Sequence, residues 1–493
     1  MQSLFRIDPR DMVATALRDL AAGEQVEAGG QTVTLVEPVA RGHKVALRNI
    51  APGEEVLKFG FPIGRTTAPI VAGAHVHVHN VATQLEGSGH FRRPEGVQVP
   101  GGAASNFSFQ GYRRADGRVA TRNEIWVIPT VGCVANAARK IADKIAARHA
   151  GRIDGALALS HPFGCSQLGD DLSGTRDLLA ALASHPNAAG VLLLGLGCES
   201  NQLDPLLEAI DPAARDRIRV LGAQMSADEI GEGVALLDPL AEAAGEARRS
   251  DAYLGELMLG LKCGGSDGFS GLTANPLVGR MADAVTGAGG TAILTEIPEV
   301  FGGEQILLDR AVDEQVFDAA VDLVNGFRRY FTDHGEPVSE NPSPGNIAGG
   351  ITTLEEKSLG AVQKGGHAPL TDVIHYGRRA TKPGLTLLEA PGNDAVSSTA
   401  LTAAGSTMIL FTTGRGTPLG FPAPTMKIAS NHALAERKPG WIDFDAGMVM
   451  DEGLEAARDA LLTRMTAIAS GEPTAAEKNG EREIAIWKRG VTL

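Results

Sequence analysis

Short apolar runs alternate with alanine-rich, charged stretches through the middle of this chain, and this alternation is the strongest constraint on its fold. The runs EIWVIPTV, GALALSHPF, GVLLLGLG and RIRVLGA are separated by stretches such as NAARKIADKIAARH and DLLAALASH. An apolar run, a turn and an amphipathic helix in succession are typical of βαβ units with a parallel sheet. Further runs, GTAILTEIP, LTLLEAP and TMILFTTG, follow after Tyr253, and the closing EIAIWKRGVTL indicates one more strand.

The first segment differs because it contains an internal repeat. Residues 16–26, ALRDLAAGEQV, and residues 46–56, ALRNIAPGEEV, agree at seven of eleven positions. Strand-like alternation between the two copies predicts a small β-rich unit with internal pseudo-symmetry. We therefore expect an α/β protein with the following parts: a small β-rich domain at 1–88, a Gly-, Ser-, Pro- and Arg-containing linker at 89–110, a βαβ-type domain at 111–248 and a C-terminal α/β domain at 249–493.

Composition narrows the classes of function. The net charge of −14 and the 4% aromatic content argue against nucleic-acid binding, which needs a basic face and stacking side chains. The sequence has no run of about 18 apolar residues and no N-terminal apolar core of the signal-peptide type, so we expect no membrane span. Four cysteines in 493 residues do not form a disulfide framework. These features predict a cytoplasmic globular protein.

The cysteines occupy related positions. Cys133, Cys165 and Cys198 each follow a glycine at the end of an apolar run, and Cys263 ends a similar run before two glycines. Because the carboxyl ends of parallel strands share one edge of a sheet, several thiols could converge on one site. The alternative is that cysteine is simply a small residue suited to a crowded strand end.

Three histidines occur within five residues. His75, His77 and His79 form HVHVH, and on a strand all three imidazoles would share one face. Co-facial imidazoles predict a site for a divalent metal ion. A hydrogen-bonded or solvated strand face is the alternative.

Several loops are rich in neutral hydrogen-bonding groups and glycine, among them LKCGGSDGFSGLTANP, HPFGCSQLGDD and TTGRGTPLGFPAPTMKI. None matches a P-loop or a GxGxxG turn, so nucleotide binding is not expected, whereas their content suits a polyhydroxy acid. TEIPEVFGGEQ places Glu296, Glu299 and Glu304 after an apolar run, where carboxylates could bind metal, transfer protons or simply form a solvated turn.

Taken together, these motifs resemble the altronate dehydratase family, which includes galactarate dehydratase and the sulfolactate sulfo-lyases. The stretches that carry the resemblance run from about residue 70 to the end: AGAHVHVHN, GYRRADGRVATRNEIWVIPTVGCVAN, HPFGCSQLGDD, LGLGCESNQ, LKCGGSDGFSGLTANP, TEIPEVFGGE, NPSPGNIAGGITTLEEKSLG and WKRGVTL. The repeat before them resembles the small β-clip, or SAF-like, domain of that family.

The resemblance implies dehydration of a sugar acid to a 2-keto-3-deoxy acid, with Fe²⁺ or Mn²⁺ stabilising the charge that develops when the C2 proton leaves. The predicted metal ligands are His75, His77, Cys133, Cys165, Cys198 and Cys263. The predicted proton-transfer residues are His161, Lys262 and Glu299. The predicted substrate-binding residues are Arg122, Asn201, Ser266, Asp267, Asn275 and Arg415.

Total length and the fused N-terminal domain favour D-altronate as the substrate. Galactarate or another aldonate or aldarate is the alternative within the same reaction class, and the sulfo-lyase reaction is a second, although that enzyme is associated with separate small and large subunits. A non-catalytic sugar-acid-binding protein and an iron–sulfur protein using three or four of the cysteines also remain open. We expect a homodimer.

Overall fold

The computed structural model describes residues 2–85, 89–94 and 107–493, so most of the predicted linker lies outside the described residues. The first 85 residues form short antiparallel strands in three sheets with the orders β1-β2-β5-β8, β3-β4 and β6-β7-β9. These strands are β1 (Leu4–Phe5), β2 (Val13–Ala16), β3 (Gln25–Ala28), β4 (Gln31–Thr34), β5 (Lys44–Ala46), β6 (Glu55–Lys58), β7 (Phe61–Thr66), β8 (His75–Val76) and β9 (Val81–Ala82).

The sequence repeat appears as structural pseudo-symmetry. Each copy leads from a strand of the four-stranded sheet, β2 or β5, into a hairpin, β3–β4 or β6–β7. Equivalent bridges join Leu20 to Val39 and Ile50 to Ile70. The predicted β-rich unit is therefore confirmed.

The next region contains a parallel sheet with the order β13-β12-β14-β15, as the alternating pattern predicts. A small antiparallel sheet with the order β11-β10-β16 is formed by strands that come before and after the parallel sheet in the sequence. The strands are β10 (Ser108–Arg113), β11 (Val119–Ala120), β12 (Glu124–Pro129), β13 (Gly155–Ala158), β14 (Ala188–Gly195), β15 (Ile218–Gly222) and β16 (Ser250–Tyr253). The helices are α1 (Ala135–Arg148), α2 (Gly169–Ala183), α3 (Leu203–Ala209) and α4 (Glu229–Glu246).

The C-terminal region is built on a seven-stranded parallel sheet with the order β19-β20-β18-β17-β21-β22-β23. The strands are β17 (Met258–Cys263), β18 (Thr291–Leu294), β19 (Leu370–Ile374), β20 (Gly384–Leu388), β21 (Met408–Thr413), β22 (Thr425–Ala429) and β23 (Phe444–Asp445). The helices are α5 (Ala274–Gly287), α6 (Glu304–Leu308), α7 (Glu314–Asp333), α8 (Pro344–Ala348), α9 (Leu354–Ala361), α10 (Asp394–Ala403), α11 (His432–Arg437), α12 (Met448–Glu452), α13 (Leu454–Ala469) and α14 (Ala475–Lys478). Strands β17, β20, β21 and β22 are buried throughout or nearly so, as expected of a sheet covered on both faces.

The prediction of a last strand at the C-terminus is wrong. Residues 483–493 form no strand, and one isolated bridge joins Thr492 to Gln167. The apolar side chains there are buried by packing rather than by pairing, since the Trp487 ring stacks on Phe327 with centroids 5.3 Å apart. The backbone N–H of Trp487 donates to the hydroxyl of Tyr376 at 2.9 Å.

Buried ions attach the N-terminal β domain to the C-terminal region. Glu356 on α9 accepts from the Lys44 ammonium at 2.9 Å and from the Lys58 ammonium at 2.8 Å. All three side chains are at most 3% exposed, so this contact is shielded from screening by solvent. Removing the shared carboxylate would leave two ammonium groups buried without a counter-ion, which is strongly destabilising.

Close backbone contacts at glycines also hold the N-terminal β domain against the C-terminal region. Gly42 of the β domain lies against Gly268 and Gly350, and a Cβ on either of the last two would overlap the Gly42 carbonyl oxygen. The approach is possible only because no side chain intervenes. None of the described helices is both long and apolar enough to cross a membrane.

We predict that Gly268→Ala lowers the free energy of unfolding by about 1–3 kcal/mol, because backbone must move to admit the new methyl group. Thermal or urea denaturation measures the change. Gly287→Ala is the matched control, since a Cβ there meets no atom within 4 Å. Equal stability of the two variants would contradict the close backbone contact.

Candidate functional site

A buried network of charged side chains lies at the carboxyl edge of the seven-stranded sheet. Lys262 and Cys263 end β17, Glu296 and Glu299 follow β18, and Asp394 follows β20. These strands are neighbours in the order β20-β18-β17, so their ends converge at the edge where such sheets bind ligands. The Lys262 ammonium contacts a carboxylate oxygen of Glu296 and lies 2.7 Å from Asp394 Oδ1.

The two glutamates differ in their electrostatic surroundings. Burial and the neighbouring charge of Glu299 raise the pKa of Glu296 above its ordinary value. Burial would also raise the pKa of Glu299, but the Lys357 ammonium, 2.8 Å from its Oε1, outweighs burial and lowers it. The pair therefore holds one ionised carboxylate and one that can exchange a proton near neutral pH.

Glu296 also has an unusual backbone. Its φ of 67° and ψ of 58° are left-handed, which costs free energy for a residue with a side chain. This conformation aims the carboxylate back at Lys262 and at the Cys263 backbone N–H, which donates to Glu296 Oε2 at 3.1 Å. Strain retained at a buried charged residue is a feature of functional sites.

Lysines surround this network on several sides. Lys262, Lys357 and Lys364 all contact its carboxylates. Burial lowers the pKa of each ammonium, but the neighbouring acidic groups outweigh burial and raise it; these are the carboxylates and, first of all for Lys364, Cys263. The ligand atoms of Cys263, Glu296 and Glu299 do lie within 4.8 Å of one another. However, three ammonium groups already neutralise the carboxylates and would repel a divalent ion, so we interpret this group as proton-transfer machinery.

The buried cysteine belongs to the same network. Burial, with the charge of Glu296, raises the pKa of Cys263 to about 12, so that it remains a thiol. Its Sγ donates to Glu299 Oε2 at 2.9 Å. A bound metal ion would itself deprotonate the thiol, so Cys263 as a metal ligand stays a prediction.

A second group consists of imidazoles on the N-terminal domain. The ligand nitrogens of His43, His75 and His77 lie within 4.8 Å of one another, and His43 Nδ1 is 3.0 Å from His75 Nε2. His75 begins β8, which pairs with β5 through Val45, and this pairing brings His43 alongside. The sequence pattern did not indicate His43, because it lies 32 residues earlier in GHKVAL, apart from the HVHVH cluster.

The imidazoles suit a divalent metal ion. Burial, with the neighbouring His43, lowers the pKa of His75 to about 3, and burial, with Lys44, lowers that of His77 to about 4. The rings are thus neutral at physiological pH, the state in which imidazole binds metal. The strand predicted for HVHVH ends at Val76, and a turn follows in which the Asn80 N–H donates to the His77 carbonyl. His79 is exposed and is not part of the three-histidine group.

A cavity of about 300 Å³ beside these imidazoles is lined by cations. The residues that line it include Arg41 of the N-terminal domain, Arg415, which follows β21, and Arg437 of α11. Among the described residues, none of these guanidinium groups has a carboxylate within 4.0 Å. Guanidinium groups without a protein counter-ion in a shared cavity are suited to a carboxylate ligand.

Asp267 lines the same cavity but is engaged by its neighbours. Its carboxylate accepts from Ser270 Oγ at 2.9 Å, from Ser430 Oγ at 2.8 Å and from Asn431 Nδ2 at 3.0 Å. Burial raises its pKa against these hydrogen bonds. Asp267 therefore holds the loop after β17 in shape.

One segment joins the three groups. This segment, residues 341–357, is called here the bridging segment. Its Gly345 carbonyl accepts a hydrogen bond from Arg415 Nη1 at 3.2 Å, and its Ala348 carbonyl lies 3.4 Å from His43 Nε2. Farther along, Thr352 Oγ1 is 3.2 Å from His77 Nδ1. Lys357, at its end, contacts Glu299. The cavity lined by the guanidinium groups (the guanidinium cavity), the imidazoles and the charged network are thus all in contact with this one segment, and the three groups together are called here the composite site.

Comparison with known proteins covers nearly the whole chain. Family models match residues 2–84 (Altronate/galactarate dehydratase SAF domain), 111–245 (D-galactarate dehydratase/Altronate hydrolase, second domain) and 254–492 (D-galactarate/Altronate dehydratase, C-terminal). The chain is 47% identical to altronate dehydratase of Bacillus subtilis (strain 168) over 100% of both chains, and 48% identical to that of Escherichia coli (strain K12) over 99% of both. The chain belongs to the galactarate/altronate dehydratase family.

A more distant family member is the galactarate dehydratase (L-threo-forming) of Escherichia coli (strain K12). It is 31% identical to this chain, over 95% of this chain and 93% of the relative. The resemblance stated from the motifs is therefore confirmed, and it extends to the N-terminal β domain.

Other residues suggested by the family motifs lie within or away from the composite site. Ser266 and Asn275 line a narrow cavity together with Lys357. Asn275 already donates to the Gly360 carbonyl at 3.1 Å and accepts from Thr412 Oγ1 at 2.8 Å. Arg122 is buried elsewhere, where Glu477 and the carbonyls of Thr121, Ile468 and Glu472 take up its donors.

His161 and Asn201 lie in the middle region, at the carboxyl edge of its four-stranded sheet. His161 Nε2 is 2.8 Å from the Pro129 carbonyl, and its Nδ1 accepts from the Phe163 N–H at 3.2 Å. Burial lowers its pKa, so the ring is a neutral structural link. Asn201 Nδ2 donates to the Thr130 carbonyl at 3.2 Å, close to the exposed Cys133, Cys165 and Cys198.

We predict that the His77→Ala variant binds Mn²⁺ at least about 10-fold more weakly than the parent protein, because it lacks one of three imidazole ligands. Electron paramagnetic resonance of free Mn²⁺ during a titration measures this affinity. His79→Ala, which removes the adjacent exposed imidazole, is the control and should bind as the parent does. If both variants bind Mn²⁺ like the parent, the imidazole group is not the metal site.

Proposed function

We propose that this protein is a hydro-lyase that dehydrates D-altronate to a 2-keto-3-deoxy acid, removing the C2 proton and the C3 hydroxyl. The observation that supports this most directly is the bridging segment, because its residues contact the guanidinium cavity, the imidazoles and the buried lysine–glutamate network. We assign to these groups the three functions that such a reaction needs, which are carboxylate binding, metal binding and proton transfer.

The relatives favour altronate over other sugar acids. Identity to the two altronate dehydratases is 47% and 48%, against 31% to the galactarate dehydratase. A sulfo-lyase is less favoured because the β domain and the α/β regions form one chain here. A purely binding protein would not need the buried pair of glutamates with opposite pKa shifts.

Substrate binding is assigned to the guanidinium cavity. Arg41, Arg415 and Arg437 would hold the carboxylate of the sugar acid. The Gly264–Gly265 backbone separates this cavity from the network: a Cβ on Gly265 would lie 3.4 Å from Arg415 Cβ, and one on Gly264 would contact Asp394. A substrate lying across these glycines would have its carboxylate at the arginines and its C2–C3 bond near the network.

Proton transfer is assigned to Glu296 as the base, since its pKa is raised towards the working range. Lys262 and Glu299, favoured from sequence for proton transfer, flank it: the Lys262 ammonium stabilises negative charge, and Glu299 holds Lys357. The Lys357 ammonium, which also bonds Asn341 Oδ1 at 2.9 Å, is the donor to the departing hydroxide.

The three imidazoles would hold Fe²⁺ or Mn²⁺, which when bound supplies a Lewis acid for the substrate oxygens. His43, His75 and His77 orient that site from the N-terminal domain, and the Ala348 carbonyl and Thr352 hydroxyl fix two of the rings. Since all four thiols are free, we place the protein in the cytoplasm. The homodimer stays a prediction.

The function is tested by assaying aldonic and aldaric acids for 2-keto acid formation, without oxygen and with Fe²⁺. We expect D-altronate to give the highest kcat/KM, and Arg415→Ala to lower that value mainly by raising KM, because the carboxylate loses a cation. Arg458→Ala, which alters an exposed arginine on α13, is the control. Faster turnover of galactarate would identify galactarate, rather than D-altronate, as the substrate. No turnover of any sugar acid would refute the proposal.

Replacing the proposed base should separate chemistry from binding. Glu296→Gln is expected to lower kcat at least about 100-fold with little change in KM, and to abolish the rise of activity with pH that ionisation of the base produces. Glu304→Gln changes another buried glutamate, paired with Arg328, and controls for the loss of a buried charge. A Glu296→Gln enzyme with the parent's kcat and pH profile would exclude Glu296 as the base.

A further inference from the structure

Three exposed cysteines follow three neighbouring strands at the carboxyl edge of the middle sheet, outside the composite site. Cys133, Cys165 and Cys198 follow β12, β13 and β14, which are adjacent in the order β13-β12-β14. Pro129 pairs with Leu194 across β12 and β14, and each precedes its cysteine by four residues. Cys133 and Cys198 therefore follow the paired ends of β12 and β14 by the same number of residues. Cys165 follows β13, which pairs with β12 on the side opposite β14.

The loops that carry these cysteines are packed against one another. The Gly132 N–H donates to the Phe163 carbonyl at 2.9 Å, and the Asn201 N–H donates to the Gly164 carbonyl at 3.0 Å. A glycine precedes each cysteine, and a Cβ on Gly132 or Gly164 would press on the backbone of the neighbouring loop. The glycines therefore allow the three loops to meet, which a mere preference for small residues at strand ends does not require.

Two features near the thiols favour negative charge and act against the ionised Glu199 carboxylate next to Cys198, which accepts from the Gly197 N–H. The 14-residue helix α1 begins two residues after Cys133, and its first turn contains no acidic side chain and no side-chain cap. The positive end of a helix stabilises thiolates and anionic clusters. Gln224 Nε2 donates to Cys198 Sγ at 3.6 Å, a bond that also lowers the energy of a bound thiolate.

The spacing distinguishes between kinds of metal centre. A single tetrahedral ion with metal–sulfur bonds of about 2.3 Å needs sulfurs roughly 3.8 Å apart. The three sulfurs do not form a group within 4.8 Å in the described part of the chain. In a [4Fe–4S] cluster each cysteine binds a different iron, so the cysteine sulfurs lie farther apart.

We propose that Cys133, Cys165 and Cys198 bind a [4Fe–4S] cluster. The fourth cysteine, Cys263, is buried in the C-terminal region as a thiol, so one iron of the cluster has no cysteine ligand and is available to an oxygen ligand or water. This site uses none of the residues assigned above to the sugar acid, and it stands or falls independently of the proposed dehydration.

The test is the iron and acid-labile sulfide content of the full-length protein, purified without oxygen from cells supplied with iron. We expect about four sulfides per chain with broad visible absorption, since inorganic sulfide belongs to a cluster and not to a mononuclear site. Cys133→Ser, Cys165→Ser and Cys198→Ser should each lose most of the sulfide. Cys263→Ser, the matched control, and His77→Ala should retain it, and circular dichroism checks the fold of every variant.

Iron or zinc bound without sulfide, even after anaerobic reconstitution with iron and sulfide, would overturn the cluster. So would full sulfide content in the three cysteine variants. Neither result depends on which sugar acid the enzyme uses, because sulfide content is measured without substrate.

Discussion

The position of the imidazoles depends on a buried ionic contact between the N-terminal domain and helix α9. Glu356 shares its carboxylate between Lys44 and Lys58, and Lys44 also donates to the Gly350 carbonyl at 2.7 Å. Burial lowers the pKa of Lys44 to about 8 despite Glu356, whereas the two ammonium groups outweigh burial and lower the pKa of Glu356 to about 2. Such a contact contributes orientation more surely than net stability.

This orientation brings two unlike electrostatic environments together. The imidazoles are neutral because burial and mutual repulsion disfavour their charged forms, so they can accept a cation. The lysine–glutamate network is charged internally, with Lys262, Lys357 and Lys364 balancing Glu296, Glu299 and Asp394. A cation bound by the imidazoles, together with the fixed ammonium groups, would stabilise the proposed substrate as it becomes more negative on loss of its C2 proton.

The fold could be predicted largely from sequence because its signals are local. Apolar runs with helical stretches between them give parallel sheets, and the repeat gives the pseudo-symmetric β domain. The predictions fail where tertiary packing determines the local structure. The strand predicted for HVHVH ends at Val76, and the C-terminal apolar segment packs around Trp487 without forming a strand.

The site could be predicted only in part, for the same reason. Lys262, Glu299 and Arg415 lie at strand ends, where topology alone places ligand contacts. His43 and Arg41 come from another domain, and no spacing in the sequence connects them with residues some 300 positions later. Glu296 is distinguished from Glu299 only by the lysines around each carboxylate, which depend on the folded chain.

The central claim is that residues of two domains form one site along the bridging segment. It is tested most directly by a crystal structure with Mn²⁺ and a sugar acid bound, using anomalous scattering to locate the metal. The account predicts an anomalous peak among His43, His75 and His77, with the ligand carboxylate at Arg415 and its C2 facing Glu296. A ligand bound away from the bridging segment, or a metal held by Cys263 and the glutamates, would contradict it.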